Sequence, residues 1–218
     1  MREPIDRRTG SADTRRRIVR AATDLCREIG HDKATVADIA GRLSMSPANV
    51  YRFFPSKLAI KDAVVGEVLN GTAGAAAEAA RSDAPVLGRL AAILQVIAER
   101  NADLSARQRR LQDLVAVAVV EGWPVVLAYD DRIRDLVRSI IGAGQASGEV
   151  RTGSPMALTC CLLEAMDIHL NPSRPPVATL RPSFEEMFRF CTGALQHAPS
   201  LSRGAGLSHS RALPCGQP

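Results

Sequence analysis

The chain has 218 residues, of which 46% are hydrophobic and 23% charged, enough to bury a sizeable core in one or two domains. No uninterrupted apolar run approaches the roughly 18 residues of a membrane span, and the start MREPIDRRTG lacks the apolar segment of a signal peptide. Five cysteines without CxxC spacing predict reduced thiols in a cytoplasmic protein rather than a disulfide framework, with no membrane partner. The net charge of +5 is unevenly placed. Residues 1–60 carry 12 Lys and Arg against 7 Asp and Glu, whereas the remainder carries 16 against 16. The excess positive charge therefore lies at the N-terminal end, where it steers association with phosphates and weakens as salt rises.

In chain order, residues 1–12 are polar, contain the Arg7-Arg8 pair, and predict a flexible basic arm. An amphipathic helix follows from Thr14 to Ile29, with Ile18, Ala21, Ala22, Leu25 and Ile29 on one stripe. Asp13 is its expected N-cap and Gly30 its C′ residue. Val36, Ile39, Ala40 and Leu43 then fall at i, i+3, i+4 and i+7, one face of a second helix that Thr35 can cap. Ser44-Met45-Ser46 has the length of a helix-turn-helix connection. Ser46 is a good N-cap, and Pro47 suits the first helical position because its missing N–H costs nothing there. The third helix runs to about Phe53, with Val50 and Phe54 inward. Pro55 cannot continue it, and Pro55-Ser56 opens the next helix near Lys57.

The outward face of that third helix carries chemistry suited to a DNA groove. Asn49 and Arg52 have paired hydrogen-bonding groups that match base edges, and the small Pro47 and Ala48 permit close approach and contact with a thymine methyl. Tyr51, Thr35 and Lys57 can reach phosphate oxygens, which sets register rather than sequence. The bland alternative, that Tyr51 and Arg52 merely solvate a surface helix, is weakened by the agreement of caps, turn and stop.

A first helix ending in Gly, then TVADIAGRL, then SPANVYRFFPSKLAI resembles the DNA-binding domain of the tetracycline-repressor (TetR) family, over about Thr14 to Val68. The resemblance implies an all-α homodimer, with an N-terminal three-helix helix-turn-helix domain and a larger helical ligand-binding and dimerisation domain. Matched position by position, it places Thr35, Tyr51 and Lys57 on phosphates and Ala37, Pro47, Ala48, Asn49 and Arg52 on the bases or groove wall, with Ser46 opening the reading helix. One departure is Ser44, where the family commonly has Gly at the turn; Ser tolerates a left-handed conformation less well.

Beyond Lys57 every periodic segment reads helical. Helices are expected from Ser56 to Arg81, with a bend at Asn70-Gly71 and Gly74, then from Val86 to about Asp103, Ala106 to Glu121 and Pro124 to Ala146. Residues 147–153 read as a loop, Ser154-Pro155 caps a helix to about Leu170, and residues 171–176 read as a rigid non-helical linker. A last helix runs from Ser183 to about His197, and the composition after it predicts a disordered tail. The expected organisation is thus an arm at 1–12, a helix-turn-helix domain at 13–55, a ligand-binding and dimerisation domain at 56–197 and a tail at 198–218. The last two helices are apolar on more than one stripe, as in a four-helix dimer interface; intramolecular packing is the alternative.

The resemblance also implies a small-molecule pocket. Its candidate liners are Glu121, Trp123, Tyr129, Glu164, Asp167 and His169, with Met166 as an adaptable wall. Each has a plainer reading: Trp123 as a packing anchor beside Pro124, Glu164 and Asp167 as solvated or paired acids, His169 as a partner of the helix dipole. Cys160, Cys161, Glu164 and His169 do not share the spacing a metal site needs, no basic side chain lies near either cysteine in sequence to favour a redox thiolate, and no cofactor is expected. The sequence lacks a Gly-rich phosphate loop, a GxSxG elbow and HExxH, so enzyme chemistry is not indicated. The expectation is a ligand-responsive transcriptional repressor that binds a palindromic double-stranded DNA operator as a homodimer. The alternatives are a DNA-binding regulator without a small-molecule ligand, an activator, or a helical enzyme or interaction module.

Overall fold

The computed structural model describes residues 7–171 and 182–196, and among these the chain forms nine α-helices and no strand. They are α1 (Arg7–Ile29), α2 (Val36–Arg42), α3 (Pro47–Tyr51), α4 (Lys57–Ala79), α5 (Val86–Arg107), α6 (Arg109–Val120), α7 (Pro124–Ser147), α8 (Pro155–Leu170) and α9 (Phe184–Gln196). The expected linker at 172–176 and the tail at 198–218 lie outside the described residues.

Local chemistry explains most boundaries. Thr35 and Asp38 form a reciprocal capping box at the start of α2, and the hydroxyls of Ser46, Ser56 and Ser154 accept from the backbone N–H three residues on. Gly30 ends α1 at φ +90° and Gly148 ends α7 at φ +80°. The α2–α3 turn requires the left-handed conformation at Ser44, φ +53°. The turn thus keeps its geometry without glycine, at a conformational cost.

Several expectations change. α1 begins at Arg7, not Thr14, so residues 7–12 are helical rather than part of a free arm, and Asp13 pairs with Arg16 on the helix surface instead of capping it. Ile29 is 39% exposed and leaves the core stripe, because the chain turns away at Gly30. α4 runs unbroken through Asn70-Gly71 and Gly74. Its buried Leu69, Thr72, Ala73 and Ala76 pack against neighbouring helices, which outweighs the glycine propensity penalty of about 1 kcal/mol each. No local side chain caps α5; the backbone N–H of Val86 instead donates to the Glu149 carboxylate at 3.0 Å, from the α7–α8 loop. That loop is pinned in turn, since Arg151 donates to the carbonyls of Ala194 and Leu195 at the end of α9.

The apolar residues form two cores, and the division between them does not fall at residue 55. The first joins α1, α2 and α3 to Ile60, Val64, Val65 and Leu69 of α4, to Leu104, to Leu111, Leu114, Val115 and Ala118 of α6, and to Trp123 and Val126. The second joins Ala73, Ala76 and Ala80 to α5, α7, α8 and α9. No single helix among the described residues is long and apolar enough to cross a membrane.

Two substitutions test these constraints. A left-handed residue costs roughly 1–2 kcal/mol, partly offset by the unfolded-state freedom of glycine, so Ser44→Gly is expected to raise Tm by roughly 1–4 °C. A Cβ at Gly144 would stand 2.6 Å from Val150 Cγ2 and 2.7 Å from Val86 Cγ1. Gly144→Ala is therefore expected to destabilise by about 1–3 kcal/mol in denaturant titrations.

Candidate nucleic-acid interface

α3 is held by its inward residues. Val50 and Phe54 are fully buried, and Val36, Ile39 and Ala40 of α2 close the same core while Leu43, Met45 and Phe53 pack at its edge. This fixes what faces outward. Thr35, Ala37, Ser46, Pro47, Ala48, Tyr51 and Arg52 are exposed, while Asn49 and Lys57 are half-buried, so all nine residues of the expected interface lie at the surface of the α2–α3–α4 unit. Tyr51 is 49% exposed although aromatic.

Two of the residues assigned to phosphates, Thr35 and Lys57, already make hydrogen bonds within the protein. Thr35 donates both its backbone N–H and its hydroxyl to Asp38 Oδ2, at 2.9 and 2.7 Å. These hydrogen bonds, with help from the nearby Lys57 ammonium, hold the Asp38 carboxyl below the usual carboxylate range. Thr35 therefore closes α2 in this state. Lys57 Nζ donates to the Asp32 carbonyl at 3.1 Å, tying the start of α4 to the α1–α2 loop; an ammonium has three donors, so two directions remain open.

Two further residues position the unit, and their roles were not legible in the sequence. Arg15 Nη1 donates to the Phe53 carbonyl at 2.9 Å, just past the end of α3, and its guanidinium stands 4.0 Å over the Phe54 ring. Within the run Arg15-Arg16-Arg17 it looks like another steering charge; nothing local pairs it with a residue 38 positions on. His31, in the same loop as Asp32, places its Nδ1 3.0 Å from Lys61 Nζ of α4 and 3.0 Å from Asp32 Oδ1. Burial and the Lys61 charge hold the imidazole below its ordinary pKa, although Asp32 and Asp113 work against this.

The head is also clamped from the other side. Arg110 of α6 donates to the Glu28 carbonyl near the end of α1, and Arg27 donates to Gln108 at 2.8 Å. Beyond α6 lies a cavity of about 280 Å³ between α4, α5, α6, α7 and α8. It brings together three of the expected liners, Tyr129, Glu164 and Asp167, and not the other four. Trp123 is buried in the first core and donates its indole N–H to Glu121 at 2.7 Å, so the pair anchors the α6–α7 junction. Met166 is fully buried in the second core, and the His169 ring meets Phe184 of α9 edge-on at 5.8 Å. A larger, open cleft of about 520 Å³ separates α1 from α4 and α5.

The N-terminal part of the chain is thus a helix-turn-helix with an exposed third helix, packed onto a larger helical domain with its own cavity. Residues 18–64 match the model of the bacterial regulatory proteins of the tetR family. Solved structures share the fold. A TetR/AcrR-family regulator from Thermobifida fusca YX-ER1 is 21% identical, with a TM-score of 0.56 over 86% of this chain and 98% of that one. A protein of unknown function from Rhodococcus sp. RHA1 is 17% identical, with a TM-score of 0.65 over 84% and 95%. RolR, solved with the ligand resorcinol, is 16% identical, with a TM-score of 0.59 over 87% and 90%. No curated protein matches the sequence.

Because Arg15 satisfies the carbonyl at the end of α3 and covers Phe54, Arg15→Ala is expected to cost about 1–2 kcal/mol of stability. Arg15→Lys should recover only part of it, since an ammonium does not match the planar contact. Thermal unfolding of the two variants checks this.

Proposed function

We propose that the protein is a ligand-responsive transcriptional repressor that binds a palindromic operator as a homodimer and is released when a small molecule enters the cavity between α4 and α8. The observation that carries this reading is the double membership of α6. Its Leu111 and Leu114 lie in the core that holds the reading head, and its Arg110 bonds α1. Its Gln112, Val115 and Val119 line the cavity. A molecule that displaces α6 therefore acts on the head through packed side chains, and it shifts the equilibrium only by its differential affinity for the two positions. α4 offers a second route, since Leu69 belongs both to the head's core and to the cavity wall. The resorcinol held by RolR, which shares this fold, supports the view that such a helical domain can enclose a small aromatic molecule.

In this reading the outward residues of α3 enter the major groove. Asn49 and Arg52 contact base edges, Pro47 and Ala48 set the approach, and Tyr51 and Lys57 grip phosphates. Ala37 and Ser46 flank the groove wall. Thr35 contributes through the cap it forms with Asp38, and reaches a phosphate only by giving up its hydrogen bond to that carboxylate. Dimerisation is assigned to α8 and α9. Phe190 is 74% exposed on α9, and Met156, Cys160 and Cys161 are exposed on α8, while Leu158, Leu162 and Met166 face inward. A two-fold pair of heads then reads two half-sites.

Fluorescence anisotropy with the DNA upstream of the protein's own gene tests the first claim; absence of specific binding at low salt would overturn it. Tyr51→Ala and Lys57→Ala are expected to weaken binding to all DNA and flatten its salt dependence. Asn49→Ala and Arg52→Ala should instead relax sequence preference, at roughly 1–3 kcal/mol per lost base contact. Equal losses on specific and random DNA for all four variants would sink the assignment. Phe190→Glu is expected to shift the protein toward monomer in sedimentation equilibrium and to lower operator affinity with it.

A further inference from the structure

We propose that His31 is a proton-operated latch between the α1–α2 loop and α4, closed while its Nδ1 accepts from Lys61 and opened when the ring becomes an imidazolium, so that acidification weakens the grip of the head on DNA. The functional half of this inference rests on the reading of the α3 face as a DNA interface. Three groups meet here almost at one point. His31 Nδ1 stands 3.0 Å from Lys61 Nζ and 3.0 Å from Asp32 Oδ1, and the lysine and aspartate atoms are 3.5 Å apart. The histidine and lysine side chains are only 11% and 19% exposed, whereas Asp32 is 83% exposed. A single ring nitrogen cannot serve both neighbours. With its proton on Nε2, Nδ1 takes a hydrogen bond from the ammonium, which also pairs with Asp32 and closes the triangle. With both nitrogens protonated, Nδ1 can only donate, to Asp32, and a full positive charge then faces Lys61 in a place where water screens it poorly.

The surroundings favour the closed form. Burial comes first, then the Lys61 ammonium, with Lys57 of α4 adding to it, and these hold the imidazole down; Asp32 in the loop and Asp113 of α6 pull the other way. On the α1 side the two lysines act on Cys26, whose thiol burial pushes up, so no thiolate there compensates an imidazolium. The latch also lies where its state is felt. Lys57, one turn before Lys61, donates to the Asp32 carbonyl at 3.1 Å. The residue that an imidazolium draws toward itself is therefore the one that seats a lysine assigned to a phosphate. The same Lys57 charge acts on Asp38 in the cap of α2. Opening the latch thus disturbs the α1–α2 loop, the start of α4 and the start of α2 together. Because the folded ring titrates below the unfolded one, its contribution to stability is fully present above about pH 6.5 and is lost as pH falls below it.

The test compares the full chain with His31→Gln, whose amide offers an acceptor to Lys61 and a donor to Asp32 at every pH, and with Lys61→Met, which removes the cation. Long-range proton–nitrogen spectra of the imidazoles, with His31 assigned by its loss in His31→Gln, are expected to show the Nε2–H tautomer at about pH 7.5 and a titration midpoint that rises in Lys61→Met. Between about pH 7.5 and 5.5 the wild-type Tm should fall at least about 2 °C further than that of His31→Gln. Over the same range its specific affinity for the DNA upstream of its own gene should fall at least about threefold further. A proton on Nδ1 at the higher pH, a midpoint that Lys61→Met leaves in place, or parallel Tm profiles for wild type and His31→Gln would each overturn the latch. Wild-type affinity that instead rises on acidification, equally on specific and random DNA, marks the imidazolium as one more phosphate contact and overturns the direction of release. Absence of specific binding at every pH sinks the DNA reading and the functional half with it, while the tautomer and the Tm profiles still decide the latch itself.

Discussion

α4 is a helix without a sustained polar stripe, and the rest of the molecule is arranged around that fact. Twenty-three residues make a rod of about 34 Å. Its first half presents Ile60, Val64, Val65 and Leu69 to the core of the reading head, and its second half presents Ala73 and Ala76, with Ala80 just past its end, to the core of the larger domain. A helix apolar around most of its surface must be covered from several sides, and here α1, α5, α6 and α7 cover it. The small residues matter as much as the apolar ones. Gly66 faces Val125 so closely that an added Cβ would lie 3.1 Å from the valine side chain. The two cores therefore share one beam, and neither moves freely without disturbing the other.

The reading head is stiffened by a handful of polar contacts rather than by size. Helices of seven and five residues, α2 and α3, would be marginal alone. α2 is closed by the Thr35–Asp38 box, α3 by Ser46 at one end and by Arg15 at the other, and the loop between α1 and α2 is tied to α4 through Lys57 and Lys61. The left-handed Ser44 then turns α3 across α2 so that Val50 and Phe54 point inward. What faces outward is the remainder, and it is this remainder that carries the hydrogen-bonding chemistry. The recognition surface is in this sense a by-product of the packing surface, since a helix that buries one face rigidly displays the other in a fixed orientation.

In the proposed reading, α6 is the element through which a ligand would act. It is short, begins one residue after α5 ends, and is bonded to α1 through Arg110 and Gln108. It also forms part of the wall of the internal cavity. Packed helices have discrete arrangements rather than a continuum, so on that reading filling or emptying the cavity would select among a small set of positions of α6.

Much of the fold was legible in the residues because its causes are short-range. The 3.6-residue period of Val36, Ile39 and Ala40, the caps at Thr35, Ser46, Ser56 and Ser154, and the glycines at 30 and 148 act over one to four positions, so the sequence alone determined the helices, their order and the outward face of α3. Tertiary structure decided what depends on distant partners. The N-terminus of α5 is capped by a residue 63 positions away, Arg15 serves a carbonyl 38 positions away, and Arg110 joins α1 across 82. The same holds for the candidate effector residues. Tyr129, Glu164 and Asp167 meet at one cavity, while Glu121 and Trp123 satisfy each other and Met166 sinks into the second core. Local spacing shows which face of a helix is apolar or polar; only the packing of one helix on another decides whether that face meets solvent, a core or a cavity, because that outcome is set by contacts the chain makes after long loops have closed.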